Sequence, residues 1–251
     1  MRPTQKAGAA QKELATTFHI HKTTVTAHLQ RAITDPDSRT MSTANCGYQQ
    51  GYNAQAVVTG DQITLACAVT NEATDFAQLK PMAELAARNL EAAGVAKKMG
   101  VILADAGYLT EGNLALEDCL GVELVISTRQ HADPPRGRIP KGLTKTQLMT
   151  RKLATKRGKG LYAKRGGAIE ATWGQLRQRG MGRFRRRGLE ACEREWRFEH
   201  AVHNLLKIRA SGKSLSGIPV GPVAGQRGDI LRLHRSVSAR SWLLVCTARN
   251  S

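Results

Sequence analysis

The sequence predicts an α/β protein, a mixed sheet flanked by helices and preceded by a small N-terminal helix-turn-helix. Three observations carry this. Two alternating segments, GYNAQAVV (Gly51 to Val58) and QITLACAVT (Gln62 to Thr70), read as a β-hairpin joined at Thr59-Gly60-Asp61. A helical period follows, in which Leu79, Met82, Ala83, Ala86, Leu90 and Ala93 recur, with Pro81 either opening that helix late or bending it. The apolar run Gly100-Val101-Ile102-Leu103-Ala104 then reads as a buried strand ending at Asp105. Antiparallel strands, a crossover helix and further strands joined through helices make an α/β sheet.

Residues 11 to 31 place Leu14, Ala15, Phe18, Ile20, Val25 and Leu29 where two short helices share a small core across a His19-Ile20-His21 turn. Thr23 can cap the second helix, whose outward face carries Lys22, Thr24, His28 and Arg31 towards phosphates or base edges. An ordinary small bundle has the same apolar spacing. Beyond Asp105 the pattern gives a short helix over Gly112 to Leu120, a strand over Glu123 to Ser127, and helices over Tyr162 to Gln178 and Leu189 to Ala210. Between 128 and 160, Pro, Gly and Lys/Arg dominate without an apolar period, which reads as a mobile basic loop. From 211 to 251 the chain is rich in Gly, Ser and Arg and reads as a disordered tail. Its one apolar run lies within Ser241 to Thr247. The organisation expected is therefore a DNA-binding segment over 1–33, a core over 34–210 and a basic tail.

Charge narrows the class of partner. The 251 residues carry a formal net charge of +18, and Arg129 to Arg209 holds 22 Lys and Arg against six acids, so this stretch supplies +16 of it. Such a surface binds polyanions by displacing condensed counterions. Aromatic residues make up only 4% of the chain, which argues against readout of single strands or RNA by base stacking. The five cysteines are scattered, with no Cys-x-x-Cys, so neither a disulfide frame nor a zinc site is expected. With no long apolar run and a polar N-terminus, the expected location is the cytoplasm.

Two carboxylates stand out. Asp105 ends a strand and precedes Ala106-Gly107-Tyr108, and the carboxyl ends of strands face the ligand crevice of open α/β sheets. A carboxylate there can hold a metal over a phosphate, although Asp before a Gly turn is also a routine loop opener. Glu170 shares much the same helical face as Trp173 and Arg177, so that face offers a carboxylate, an aromatic wall and a guanidinium. Taken by itself, the segment reads first as an amphipathic helix with Trp in the core and a surface Glu-Arg pair.

Read together, the blocks GYNAQAVV, Leu79-Lys80-Pro81-Met82, LADAGYLTEGNL, Tyr162-x-x-Arg165 leading to Ile169-Glu170-Ala171-Thr172-Trp173-Gly174, and RFRRRGLEACEREW with HNLLKI resemble successive blocks of insertion-sequence transposases of the DDE class. These bear a Tyr-Arg-Glu signature on an RNase H-like core. The resemblance runs from about Thr34 to Ile208, roughly 70 per cent of the chain. It implies that Asp105 is the second catalytic acid and Glu170 the third, both ligating metal, with Tyr162, Arg165, Trp173 and Arg177 at signature positions. It also implies Mg²⁺ or Mn²⁺ as cofactor and in-line phosphoryl transfer on double-stranded DNA, at element ends and target, by a protein able to assemble as a homo-oligomer on DNA. Arg165, Arg177, Arg183, Arg185, Arg186 and Arg187 are the expected phosphate contacts of the core.

The front departs from the family. An RNase H-like sheet begins with a strand that carries the first acid and precedes the hairpin. Here only Ile33-Thr34-Asp35-Pro36-Asp37-Ser38-Arg39 stands in that place, and it reads as a turn. The expectation is a lost first strand, with a gap beside the Gly51 to Val58 strand that Ser241 to Thr247 could fill. Asp37 or Asp35 is the candidate substitute acid, ahead of Asp61 and Asp75. A chain short of one acid would be weak or inactive as an enzyme, and the alternative is a non-catalytic DNA-binding protein that regulates or titrates a complete transposase.

Overall fold

The computed structural model describes residues 16, 35–42, 48–95, 99–128, 140–211 and, as backbone, 242–250. Lys22, Thr24, His28 and the expected helix-turn-helix lie outside the described residues, apart from the helical Thr16.

Strand β1 (Arg39–Ser42) pairs antiparallel with the start of β2 (Tyr48–Thr59), and β2 pairs antiparallel with β3 (Thr64–Thr70). The hairpin turn closes through Thr59 N–H to the Ile63 carbonyl, 2.8 Å, with Gln62 left-handed at φ 63°. A 3₁₀ turn (Phe76–Gln78) leads into α1 (Leu79–Ala92), where Pro81 sits in the first turn and leaves no helical hydrogen bond broken. Then follow β4 (Val101–Ala104), a 3₁₀ turn (Ala106–Tyr108), α2 (Glu111–Leu120) and β5 (Glu123–Ile126), parallel to β4. Gly121 ends α2 in the left-handed conformation at φ 60°.

The stretch read as a mobile loop over 128–160 is helical in its second half. It holds α3 (Lys145–Ala154) and the first turn of α4 (Lys156–Gln178), which therefore starts before Tyr162. The physical reason is local. Thr144 and Gln147 form a reciprocal capping box, Met149 is buried, and Lys152 bonds the Leu124 carbonyl while pairing with Glu117 and Glu123. The basic residues that hid the helical period are thus partly structural. At the α3–α4 corner a methyl group on Gly158 would fall 1.9 Å from the Lys152 carbonyl oxygen, so only glycine lets the two helices meet there.

After α5 (Leu189–Ala210), the tail read as disordered contributes β6 (Trp242–Asn250). This strand lies between β2 and β4, antiparallel to the first and parallel to the second, giving the order β1-β2-β6-β4-β5 with β3 on β2. The gap expected beside β2 is filled by the segment named for it.

Alternation along the strands sorts the core onto two faces. Val57, Leu65, Ile102, Ala104, Leu124 and Ile126 pack with Leu79, Met82 and Ala86 of α1, Leu114 of α2 and Met149 of α3. Tyr52, Ala54, Ala56, Val58, Val101, Leu103 and Val125 pack with Leu161, Ala168, Ile169 and Leu176 of α4 and Cys192 and Trp196 of α5. The result is a mixed α/β sheet with helices on both faces, consistent with an RNase H-like core. Among the described residues no helix is long and apolar enough to cross a membrane.

Candidate functional site

Asp105 continues β4 in extended conformation, φ −82° and ψ 178°, and its carboxylate accepts the Gly107 N–H at 2.9 Å. That bond caps the 3₁₀ turn and fixes the carboxylate at the strand end. Beside it lies Asp75, which sequence reasoning ranked behind other acids. A methyl group on Gly107 would stand 2.8 Å from Asp75 Oδ2 and 3.0 Å from Asp105 Oδ1, so both carboxylates face one methyl-sized space that glycine leaves open.

Asp75 is buried and held from the other side. Asn53 Nδ2 donates to its Oδ1 at 2.7 Å and Gln55 Nε2 at 3.3 Å, while Gln55 Nε2 also donates to Asn53 Oδ1 at 2.8 Å. The Tyr108 hydroxyl donates to Gln55 Oε1, and Asn113 Nδ2 reaches the Tyr108 carbonyl at 2.7 Å. A buried polar network thus ties the YNAQ segment of β2 to the Asp105 turn. Its signal was present in the sequence: Asn53 and Gln55 are amides on alternate positions of an otherwise apolar strand, and buried amides require partners.

Asp35 and Asp37 meet Tyr52 and the start of α5. Tyr52 donates its hydroxyl to Asp35 Oδ1 at 2.6 Å, Gly188 N–H donates to the same oxygen at 3.2 Å, and Leu189 N–H donates to Asp37 Oδ2 at 3.1 Å. Two carboxylates therefore sit at the positive N-terminus of α5. Burial first, and Asp35 second, push the Tyr52 phenol well above its ordinary value, which keeps it a donor.

Glu170 is exposed on α4 and folds back over the preceding turn, its Oε1 3.4 Å from where a methyl on Gly166 would be. Gln62, in the β2–β3 turn, anchors this part of α4 by donating to the Gly167 carbonyl at 3.3 Å and accepting from Gln175 at 3.0 Å. That turn follows Thr59, three residues along β2 from Ala56, which the pairing register puts level with Asp105. Trp173 does not stand as an open aromatic wall; it stacks on Trp196 with centroids 5.0 Å apart and meets His200 edge-on, joining α4 to α5. Arg165 lies 5.5 Å from the Tyr162 ring centroid, a cation–π pair within the signature.

Arg177, at the end of α4, joins Arg183, Arg185, Arg186 and Arg187 around an open pocket also lined by Gln49 and Phe184. Phe184 packs edge-on against Tyr52 and Trp196, both at 6.1 Å, and Glu195 accepts the backbone N–H groups of Arg185 and Arg186. The arginine loop is therefore held at the Tyr52 end of β2, four residues along that strand from Ala56, which is level with Asp105.

Hard oxygen donors such as Asp75 and Asp105 suit Mg²⁺ or Mn²⁺. Among the described residues, however, no group of three or more His, Cys, Asp or Glu side chains is placed to hold a metal ion. The site defines an α/β protein with two carboxylates at the end of a central strand and an arginine-rich loop between two of its helices. A family model, Transposase DDE domain, matches residues 15–205, most of the chain, and the protein belongs to that family. Searches of curated proteins and of solved structures returned no match.

Proposed function

We propose that this protein binds double-stranded DNA through its arginine loop and acts as a transposase relative, with metal-dependent phosphodiester hydrolysis and strand transfer as its inherited reaction. The observation that carries this is the convergence of Arg177, Arg183, Arg185, Arg186 and Arg187 on one open pocket beside the Tyr52 end of β2. Guanidinium groups hold phosphate oxygens by forked hydrogen bonds, and several together position a duplex by its backbone. Asp105, fixed by the Gly107 N–H, and Glu170, on the exposed side of α4, are the metal-ligating residues of this reading. A bound Mg²⁺ or Mn²⁺ would supply Lewis acidity at the phosphate and a more acidic water. Arg165 and Arg177 would balance phosphate charge, and Lys22, Thr24 and His28 would read a groove from the N-terminal segment.

One observation favours a second reading, a non-catalytic DNA-binding protein that regulates or titrates a complete transposase. The strand beside β4, Trp242–Asn250, contains no Asp or Glu. A strand-transfer assay with Mn²⁺ and paired element ends separates the two. Activity abolished by Asp105→Asn and by Glu170→Gln establishes the enzyme. Retained DNA affinity without strand transfer in the parent chain establishes the second reading, and a parent chain without DNA affinity overturns both.

A further inference from the structure

The β2–β3 turn gathers a second group of cations, apart from the arginine pocket. His203 Nε2 lies 2.7 Å from the Gln62 carbonyl oxygen, and a carbonyl only accepts, so this nitrogen carries the ring proton. Burial above all holds the His203 pKa below its ordinary value, so the ring is neutral and its Nδ1 is bare. Arg179 Nη2 stands 3.5 Å from that Nδ1, and among the described residues this is the only polar contact of the guanidinium. Its Nε is buried without a partner. One helical turn beyond His203, Lys207 donates to Gln62 Oε1, which also accepts from Gln175 Nε2 at 3.0 Å. Among the described residues Gln62 is the only one other than glycine with a left-handed backbone, so a strained turn residue ties α4 to α5 at this point.

Two cations are left here without a counter-ion. Among the described residues neither Arg179 nor Lys207 pairs with a carboxylate, whereas Lys152, Arg157, Arg194 and Arg197 all do. Both are half-buried, where an unpaired charge is costly, and burial together with the Arg179 charge holds the Lys207 pKa below its ordinary value. Helix capping does not account for them. The Arg179, Gly180 and Met181 N–H groups already occupy the Gln175, Leu176 and Arg177 carbonyls at the end of α4.

We infer that Arg179 and Lys207, held in place by His203 and Gln62, form a site for one phosphate group of a DNA backbone, separate from the arginine pocket. The unused N–H groups of the guanidinium and the remaining ammonium protons suit phosphate oxygens. Position favours the backbone over a free phosphate. Residues two apart at a helix end point to opposite sides, and Arg177 lines the arginine pocket while Arg179 does not. The end of α4 therefore has a cation site on each side, and a duplex, with a phosphate on every nucleotide, can meet both at once. The inference rests on the DNA reading for the source of the phosphate and not for the site itself.

The test uses the full chain with Arg185, Arg186 and Arg187 replaced by Gln, which weakens the arginine pocket. In this background millimolar inorganic phosphate should raise the melting temperature above that in chloride at matched ionic strength, because an anion bound only by the folded chain stabilises it. Adding Arg179→Gln or Lys207→Gln should remove half or more of that rise, whereas Lys80→Gln on α1 should leave it whole. The rise is read within each variant, so a general loss of stability does not imitate it. A second arm follows log affinity for a duplex against log salt, where Arg179→Gln and Lys207→Gln should each reduce the slope by about one unit. No rise with phosphate in the background chain, or an equal rise after both substitutions, would overturn the site. A rise lost on substitution with an unchanged duplex slope would overturn the DNA source and assign the site to free phosphate. A parent chain that binds no duplex removes the functional proposal and the DNA source together, while the phosphate arm still decides whether the site exists.

Discussion

His200 illustrates how single residues in this protein are set by burial. It is enclosed by Trp196 and Trp173, with Nδ1 2.8 Å from Thr64 Oγ1. Burial first, then His203 and Arg179, push its pKa from 6.5 down to about 3. The unfolded chain takes up this proton as pH falls below about 6.5 while the folded chain refuses it until near 3, so the stabilisation is complete above 6.5 and is lost as pH falls towards 3. His203, also lowered chiefly by burial, acts in the same direction. The urea midpoint should therefore decline between pH 7 and 5, and His200→Gln should flatten that decline; an identical slope in both chains would assign it to other groups. Gly107 offers a second test at this scale. Gly107→Ala drives a methyl group to 2.8 Å from Asp75 Oδ2 and 3.0 Å from Asp105 Oδ1, so it should destabilise the fold by about 1–3 kcal/mol, the usual cost of overpacking. Chemical denaturation of the two chains measures it directly.

At the scale of elements, the arginine loop between α4 and α5 has the clearest expected behaviour. If Arg185, Arg186 and Arg187 contact phosphates, replacing all three with Gln should weaken binding to every duplex and reduce the slope of log affinity against log salt by about one unit per lost contact. An unchanged slope would make them solubilising charges. The sequence displayed some elements better than others, for physical reasons. Helix α5 was legible at both ends because Gly188 and Ser211 interrupt a continuous run, and β4 because Val101 to Ala104 is apolar throughout. Helix α3 was hidden because its buried side is little more than Met149 and half-buried Leu153, among lysines whose partners, Glu117, Glu123 and the Leu124 carbonyl, come from distant positions. Strand β1 was missed because it extends β2 beyond the hairpin and has little alternation of its own. Asp105 was legible from its place after an apolar run. Asp75 was not, because its proximity to Asp105 comes from the packing of the β3–α1 connection against the β4 turn.

For the molecule as a whole, the decisive feature is that a strand distant in sequence stands at the centre of the sheet. Removing Trp242–Asn250 would expose unpaired backbone on β2 and β4 together, so a chain lacking these residues should aggregate or lose its cooperative unfolding, whereas trimming an edge strand would not. Size-exclusion chromatography and a melting curve distinguish the outcomes. The same arrangement has a consequence for biosynthesis. Strands β1 to β5 and all the described helices leave the ribosome before β6 exists, and pairings of such large sequence separation form slowly because loop closure precedes their reward. Until Trp242 to Val245 have been made, the strands stand as two unpaired sets, β1–β3 and β4–β5, and a pause in translation after α5 would hold the nascent chain in that divided state.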